Sequence, residues 1–251
     1  MTFEAAAAAD YDRFMGRYST PLAPEFAEFA APSGPALDVG CGTGALTQVL
    51  VQRLGAASVT AVDPAPAFVA AVRERLPGVD AQVAPAEALP FEDDGFAAAL
   101  AQLVVHFMSD AAAGTREMVR VTRPGGVVAA CVWDLHNARA PHSVLLHAAG
   151  VETGGPPEPP RAGTRRGDLA RLLADAGCGE VSEAELTVTV EFASFDQWWA
   201  ATAIRVGVAA SALAGLDDAG IERVRARTRQ YWGGGPLRVS GTEWAARGLA
   251  P

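Results

Sequence analysis

In the stretch PALDVGCGTGALT, residues 35–47, an apolar run ends on an acid, Asp38, and glycines follow at 40, 42 and 44. Glycines at this spacing let the backbone turn sharply, approach a ligand closely and enter a helix whose free N–H groups face it. A second acid, Asp63, closes the run SVTAVD about 20 residues further on, where an acid commonly holds a ribose diol. The glycines alone suit a dinucleotide equally well, with Gly40, Gly42 and Ala45 in the G-x-G-x-x-A positions. Asp38 weighs against that. A carboxylate beside the turn repels a pyrophosphate but suits a ligand carrying an ammonium and a sulfonium.

Other residues could serve the same chemistry. His106, in LVVHFM, follows a later apolar run and is a candidate catalytic base, with a packed, hydrogen-bonded histidine as the alternative. Tyr11, Arg17 and Tyr18 could close over the ligand, Arg17 pairing with its carboxylate, or else line a surface helix. Adjacent Trp198 and Trp199 point in different directions on a helix, so one belongs to the core and at most one faces a substrate. His136, His142 and His147 lack metal-ligand spacing and are expected on loop and helix surface. Cys41, Cys131 and Cys178 are far apart, so neither a metal site nor a disulfide framework is expected.

The elements that position these residues alternate. Residues 4–30 read as two helical pieces broken at GRYSTP by Gly16 and Pro21. Strands are expected at 35–39, 58–63, 79–84, 96–103 and 125–133, with helices at 44–54, 65–75 and 110–122 between them. Near-continuous apolar strands in repeated β-α-β order imply a doubly wound, mostly parallel α/β sheet with right-handed crossovers. Past Trp133 the regularity fails. Residues 150–166 read as loop, 167–176 as helix, and the later part of EVSEAELTVTVEF as a half-exposed strand. Helices at 194–214 and 217–231, the second capped by Asp217, precede a last strand over 236–247.

Composition bounds the function. The chain has 251 residues, half of them apolar, enough for one buried core with an added cap. All its basic residues are Arg, which removes Schiff-base and P-loop lysine chemistry. A net charge of −9 argues against a nucleic-acid partner, and the alternate arginines from Arg223 to Arg229 spread around a helix as a solvated face. No stretch reaches the apolar length of a membrane span, and the first residues carry no leader pattern, so a cytoplasmic protein is expected.

Two further stretches, AEALPFEDDGFAAALAQ and REMVRVTRPGGVVAACVW, complete a set with LDVGCGTGALT and VTAVDPA. As a set they resemble the class I S-adenosylmethionine (SAM)-dependent methyltransferases, and within them the methyltransferase domain 11 group, similar to the ubiquinone/menaquinone-biosynthesis enzymes. The resemblance covers about 35–133, and YDRFMGRYSTPLAPEF is similar to the N-terminal segment of many bacterial members. It implies a seven-stranded Rossmann-like sheet with helices on both faces and an α-helical cap. A single domain over 1–251 would hold an N-terminal helical lid (1–30), a SAM-binding core (35–133), a loop/helix insertion (134–166) and a cap (194–231) between the last two strands.

The resemblance also implies roles. Asp38 with Gly40, Cys41, Gly42 and Gly44 would hold the methionine part of SAM, and Asp63 the ribose hydroxyls. Pro64 and Ala65 would pack near adenine, Ala86 would offer it a backbone N–H with Glu87 alongside, and Gln102 and Leu103 would line the pocket. Pro85 stands where the family often has a polar residue for the adenine amine, leaving that contact to Glu87 or a backbone carbonyl. The implied reaction is transfer of a methyl group to a small-molecule acceptor, with S-adenosyl-L-homocysteine as product and a homodimer as a possible assembly. Two alternatives stay open here: a protein that binds SAM or S-adenosyl-L-homocysteine without methyl transfer, and a nicotinamide-dependent oxidoreductase.

Overall fold

Strand β1, Ala36–Val39, is buried along its whole length and pairs in parallel with β2, Val59–Asp63, on one side and β4, Phe96–Gln102, on the other. This computed structural model describes residues 8–154, 161–204, 207–233 and 235–251. With β3 (Asp80–Val83), β5 (Thr122–Trp133), β6 (Gly179–Phe192) and β7 (Leu237–Leu249), the strands form one sheet in the order β3-β2-β1-β4-β5-β7-β6. Only β7 runs antiparallel to its neighbours.

Alternation along each strand sends neighbouring side chains to opposite faces. Ala98 and Leu100 join the core under α2 (Arg17–Ala30), α3 (Ala45–Leu54) and α4 (Pro66–Arg75). Ala99 and Ala101 join the core under α5 (Ala111–Arg120) and α7 (Asp168–Asp175). The alanine-rich β4 is buried on both sides, which explains its near-continuous apolar sequence.

Four expectations need correction. The N-terminal helices are not broken at Gly16 and Pro21. The chain is helical from α1 (Ala8–Tyr11) through a π-turn over Asp12–Gly16 and on to Ala30, with Pro21 and Pro24 inside α2. An interior proline costs about 3 kcal/mol. Burial of Tyr18, Leu22 and Phe26, at roughly 1.5–3 kcal/mol each, together with the alanines between them, offsets that cost.

Second, β6 extends over Gly179–Phe192, not merely its later part, because β7 pairs along it. Third, the segment expected as loop begins as helix: α6 spans Ser143–Thr153, burying Ala148 and Ala149 against Leu213 and Val224. The rest of that segment includes 155–160, outside the described residues.

Fourth, the described residues between β6 and β7 form three helices where two were expected: α8 (Phe195–Thr202), α9 (Gly207–Leu213) and α10 (Asp218–Trp232). Residues 205 and 206 lie outside those described. Trp198 packs against Trp232 with ring centroids 5.7 Å apart, which ties α8 to α10. Asp217 caps α10 by accepting the Gly220 N–H at 2.7 Å. No helix among the described residues is long and apolar enough to cross a membrane.

Candidate active site

The chain leaves β1 for β2 on one side and returns to β4 on the other, so a crevice opens at the carboxyl ends of β1 and β4. The glycine turn fills this switch point. Gly40 and Cys41 both donate their N–H groups to Val62 O, at 2.8 and 2.9 Å, pinning the turn to β2. Gly40 has φ +72°, and a Cβ there would lie 2.5 Å from Val104, so both conformation and space demand glycine. Gly44 starts α3 at φ +95°.

The two acids flank this turn. Asp38 is 1% exposed and accepts the Thr47 hydroxyl at 2.6 Å; loss of water raises its carboxyl to about 7. Asp63 accepts Gly42 N–H at 2.9 Å and Ala65 N–H at 2.8 Å. Burial raises its pKa, and these two bonds oppose the rise. Each of its oxygens retains capacity to accept one more hydrogen bond, as a sugar diol requires. The Cys41 thiol reaches Gly42 O at 3.7 Å, and burial pushes it well above its usual value.

Tyr11 does come to the turn. Its ring comes within van der Waals contact, 3.7 Å, of where a Gly42 Cβ would stand, and packs 5.0 Å from Phe68. Asp12 holds the segment in place by bonding Thr43 and pairing with Arg75 at 2.7 Å. Arg17 lies over Phe192 and, with Gln48 and Arg75, borders a groove of about 710 Å³ that reaches Gly44. Tyr18 is 2% exposed and packs edge-on against Trp133.

The remaining predicted residues differ in availability. Pro64 is exposed while Ala65 and Ala86 are buried. Glu87 is committed elsewhere, since its Oε1 accepts Ser109 N–H at 2.7 Å, Ser109 O–H at 2.9 Å and Asp110 N–H at 3.3 Å, which holds its pKa down against partial burial. Gln102 donates to Ser19 O at 2.9 Å and leaves Oε1 without a partner. Leu103 has φ +61°, a strained value for a bulky residue, worth roughly 1–3 kcal/mol, at the end of β4.

Next to the turn is a small apolar cavity of about 20 Å³, lined among others by Tyr11, Phe14, Leu103, His106, Trp133 and His142. His106 is 8% exposed, its ring 3.9 Å from that of Phe107, and its Nδ1 has no partner. Burial, then the Arg161 charge, lowers its pKa to about 3. His142 was expected on the surface and is instead 3% exposed, with neither nitrogen partnered and its pKa lowered to about 4 by burial. His136 and His147 are exposed. Of the tryptophan pair, Trp198 is fully buried and Trp199 only partly. No group of His, Cys, Asp and Glu among the described residues could hold a metal ion.

Sequence reasoning missed two residues, His142 and Glu243. Glu243 is fully buried, and its carboxyl is raised to about 9 by loss of water. The available signal was a lone acid on the inward face of β7, between Gly241 and Ala245 in an alternating run.

A family model described as a methyltransferase domain matches residues 37–130. Trans-aconitate 2-methyltransferase of Methylobacterium nodulans is 32% identical over 207 residues, covering 80% of this chain and 69% of that protein. An uncharacterised methyltransferase of Mycobacterium tuberculosis is 37% identical over 141 residues, covering 55% of this chain and 54% of that one. The chain thus spans about half the length of several curated relatives it matches. Among solved structures, geranyl diphosphate C-methyltransferase from Streptomyces coelicolor A3(2), in complex with Mg2+, geranyl diphosphate and S-adenosyl-L-homocysteine, aligns with a TM-score of 0.55 at 16% identity. That alignment covers 93% of this chain and 80% of the other, and shows a shared fold.

Proposed function

The chain belongs to the SAM-dependent methyltransferase family, and from that premise we propose that it transfers a methyl group from SAM to a small-molecule acceptor. The observation that carries this reading is the pairing of Asp38 and the glycine turn with Asp63 at the switch point. Asp38 and Gly40–Gly44 would hold the cationic methionine part, and Asp63 would accept both ribose hydroxyls. Pro64, Ala65 and the Ala86 N–H would face adenine. Glu87 Oε1 already has three donors, which favours a backbone carbonyl for the adenine amine.

SAM supplies an activated methyl group on its sulfonium, so the protein needs no covalent intermediate. Its residues align the acceptor and keep water away. Tyr11, packed on Phe68 and tied down through Asp12, would wall the cofactor site. Leu103, Trp133 and the two buried histidines would line the acceptor side. His106 is neutral at pH 7 and so can accept a proton, although burial weakens it as a base; it is the candidate for an acceptor that must lose a proton.

Isothermal titration with SAM, S-adenosyl-L-homocysteine and NADH tests the reading. Binding of the first two without NADH is the expected result, and NADH binding without SAM overturns it. Methylated product on incubation with candidate acceptors separates an enzyme from a protein that only binds. We extend the proposal to a cytoplasmic location, supported by three free, buried thiols, and to a homodimer, read by sedimentation.

A further inference from the structure

Both carboxyl oxygens of Glu243 are buried and have no partner on another residue. Glu243 stands directly opposite Trp133 across the antiparallel β5–β7 pair, and residues so placed project from the same sheet face. Trp133 lines the small cavity with His106 and His142, and its Nε1 also lacks a partner. At the end of β4, Gln102 Oε1 is in the same condition. Folded proteins rarely leave such groups unpaired, because each costs roughly 1–3 kcal/mol. Here Trp133, His106 and His142 line the cavity beside the glycine turn, and Glu243 on β7 and Gln102 on β4 lie outside its lining at the same end of the sheet. That concentration is what a site completed by its ligand would show.

We propose that Glu243 is an acceptor-recognition residue, anchoring the polar head of an otherwise apolar acceptor, and that this head is a hydrogen-bond donor such as a hydroxyl. The assignment rests on the methyl-transfer reading above. Two observations set the chemical class. Phe14, Met15 and Leu135 join the aromatic rings of the wall, which suits an apolar body, and the cavity of about 20 Å³ has to widen to admit one. The polar groups are electrically neutral near pH 7, with Glu243 protonated and both histidines uncharged. A neutral carboxyl group accepts from a hydroxyl and can donate back. A carboxylate head would meet no opposing charge among these groups. Arg161, whose charge acts on both histidines, lies over the ring of Phe107, itself 37% exposed.

The test uses three probes that differ in one group: 4-propylphenol, propylbenzene and 4-propylbenzoate, each titrated into protein saturated with S-adenosyl-L-homocysteine. The expected order has 4-propylphenol binding at least tenfold tighter than the other two. Glu243→Leu lowers it to the level of propylbenzene, Glu243→Gln keeps it within about threefold, and S-adenosyl-L-homocysteine binds all three proteins alike. A merely structural acid would let Glu243→Leu raise the melting temperature with the phenol preference intact, and that outcome overturns the assignment. So do preference for 4-propylbenzoate and failure of all three probes to bind. Should Glu243→Leu not fold, infrared spectroscopy decides: the carboxylic-acid C=O band missing from Glu243→Gln must shift when 4-propylphenol binds the unaltered protein, and an unmoved band defeats the proposal. A chain that shows the phenol preference but transfers no methyl group defeats the proposed function and leaves this assignment standing.

Discussion

Asp63 and Glu243 are both buried acids at the same end of one sheet, yet their surroundings are opposite. Asp63 accepts two backbone N–H groups from residues on and beside its own turn. Glu243 receives none from any other residue. At Asp63 the turn that shapes the surroundings also supplies two donors before any ligand arrives. The Glu243 site is assembled from β4, β5, α6 and β7, and its polar atoms are left over once those elements have packed. A self-satisfied site holds an invariant cofactor in one geometry. An unsatisfied one discriminates, since only a ligand with the right donors removes the penalty.

The contrast can be broken first on its rigid side. Gly40→Val should cost roughly 2–6 kcal/mol of stability, combining backbone strain with overpacking against Val104, as read by urea unfolding. A near-normal unfolding midpoint would show that the turn is not rigid. On the acceptor side, His106→Ala should lower kcat by roughly 10²–10⁴-fold with SAM affinity unchanged if the acceptor loses a proton to it. Equal loss of SAM binding would assign His106 to packing.

Asp63→Ala should weaken SAM binding by roughly 1–3 kcal/mol in titration calorimetry, while leaving the buried histidines untouched. A folded variant with full affinity would misplace the ribose site.

A pH series sharpens the comparison further. The folded-state pKa of Glu243 is raised from 4.5 to about 9, so its contribution to stability is present in acid and lost as pH rises toward 9. The histidines move the other way, from 6.5 to about 3 and 4, so their contribution is lost in acid and complete by pH 7. Asp38, raised from 3.8 to about 7, has spent most of its effect by then. Glu243 should therefore make stability decline between pH 7 and 9 by about 1.4 kcal/mol per pH unit, with the buried thiols adding to it near pH 9, and Glu243→Gln should flatten that decline. Urea midpoints across the series measure it. The smallest effect belongs to Asp12→Asn: its pair with Arg75 is partly exposed, so stability should change by less than about 1 kcal/mol in the same assay.

The glycine turn and its two acids, the proposed cofactor side, were legible in the chain because they are close in sequence. Asp38, the glycine turn and Asp63 fall within two β-α units, and each signal is a local one: an apolar run, a glycine, an acid at a strand end. The acceptor side was not. His142 resembles any histidine in a polar loop until β5 and the helices after it enclose it, and Glu243 looks like one acid of a half-exposed strand. The uninterrupted N-terminal helix was missed for a related reason. Two prolines argue locally against it, and only the burial of Leu22 and Phe26 under the sheet reverses the balance.

Apolar periodicity, turn chemistry and the acids at the strand ends are properties of neighbouring residues, so the sequence by itself determined the parallel α/β core and the place of the glycine turn. Which polar groups ended up buried without partners was decided only in the tertiary structure. Burial without a partner depends on what every other element leaves uncovered, and no stretch of chain carries that information alone.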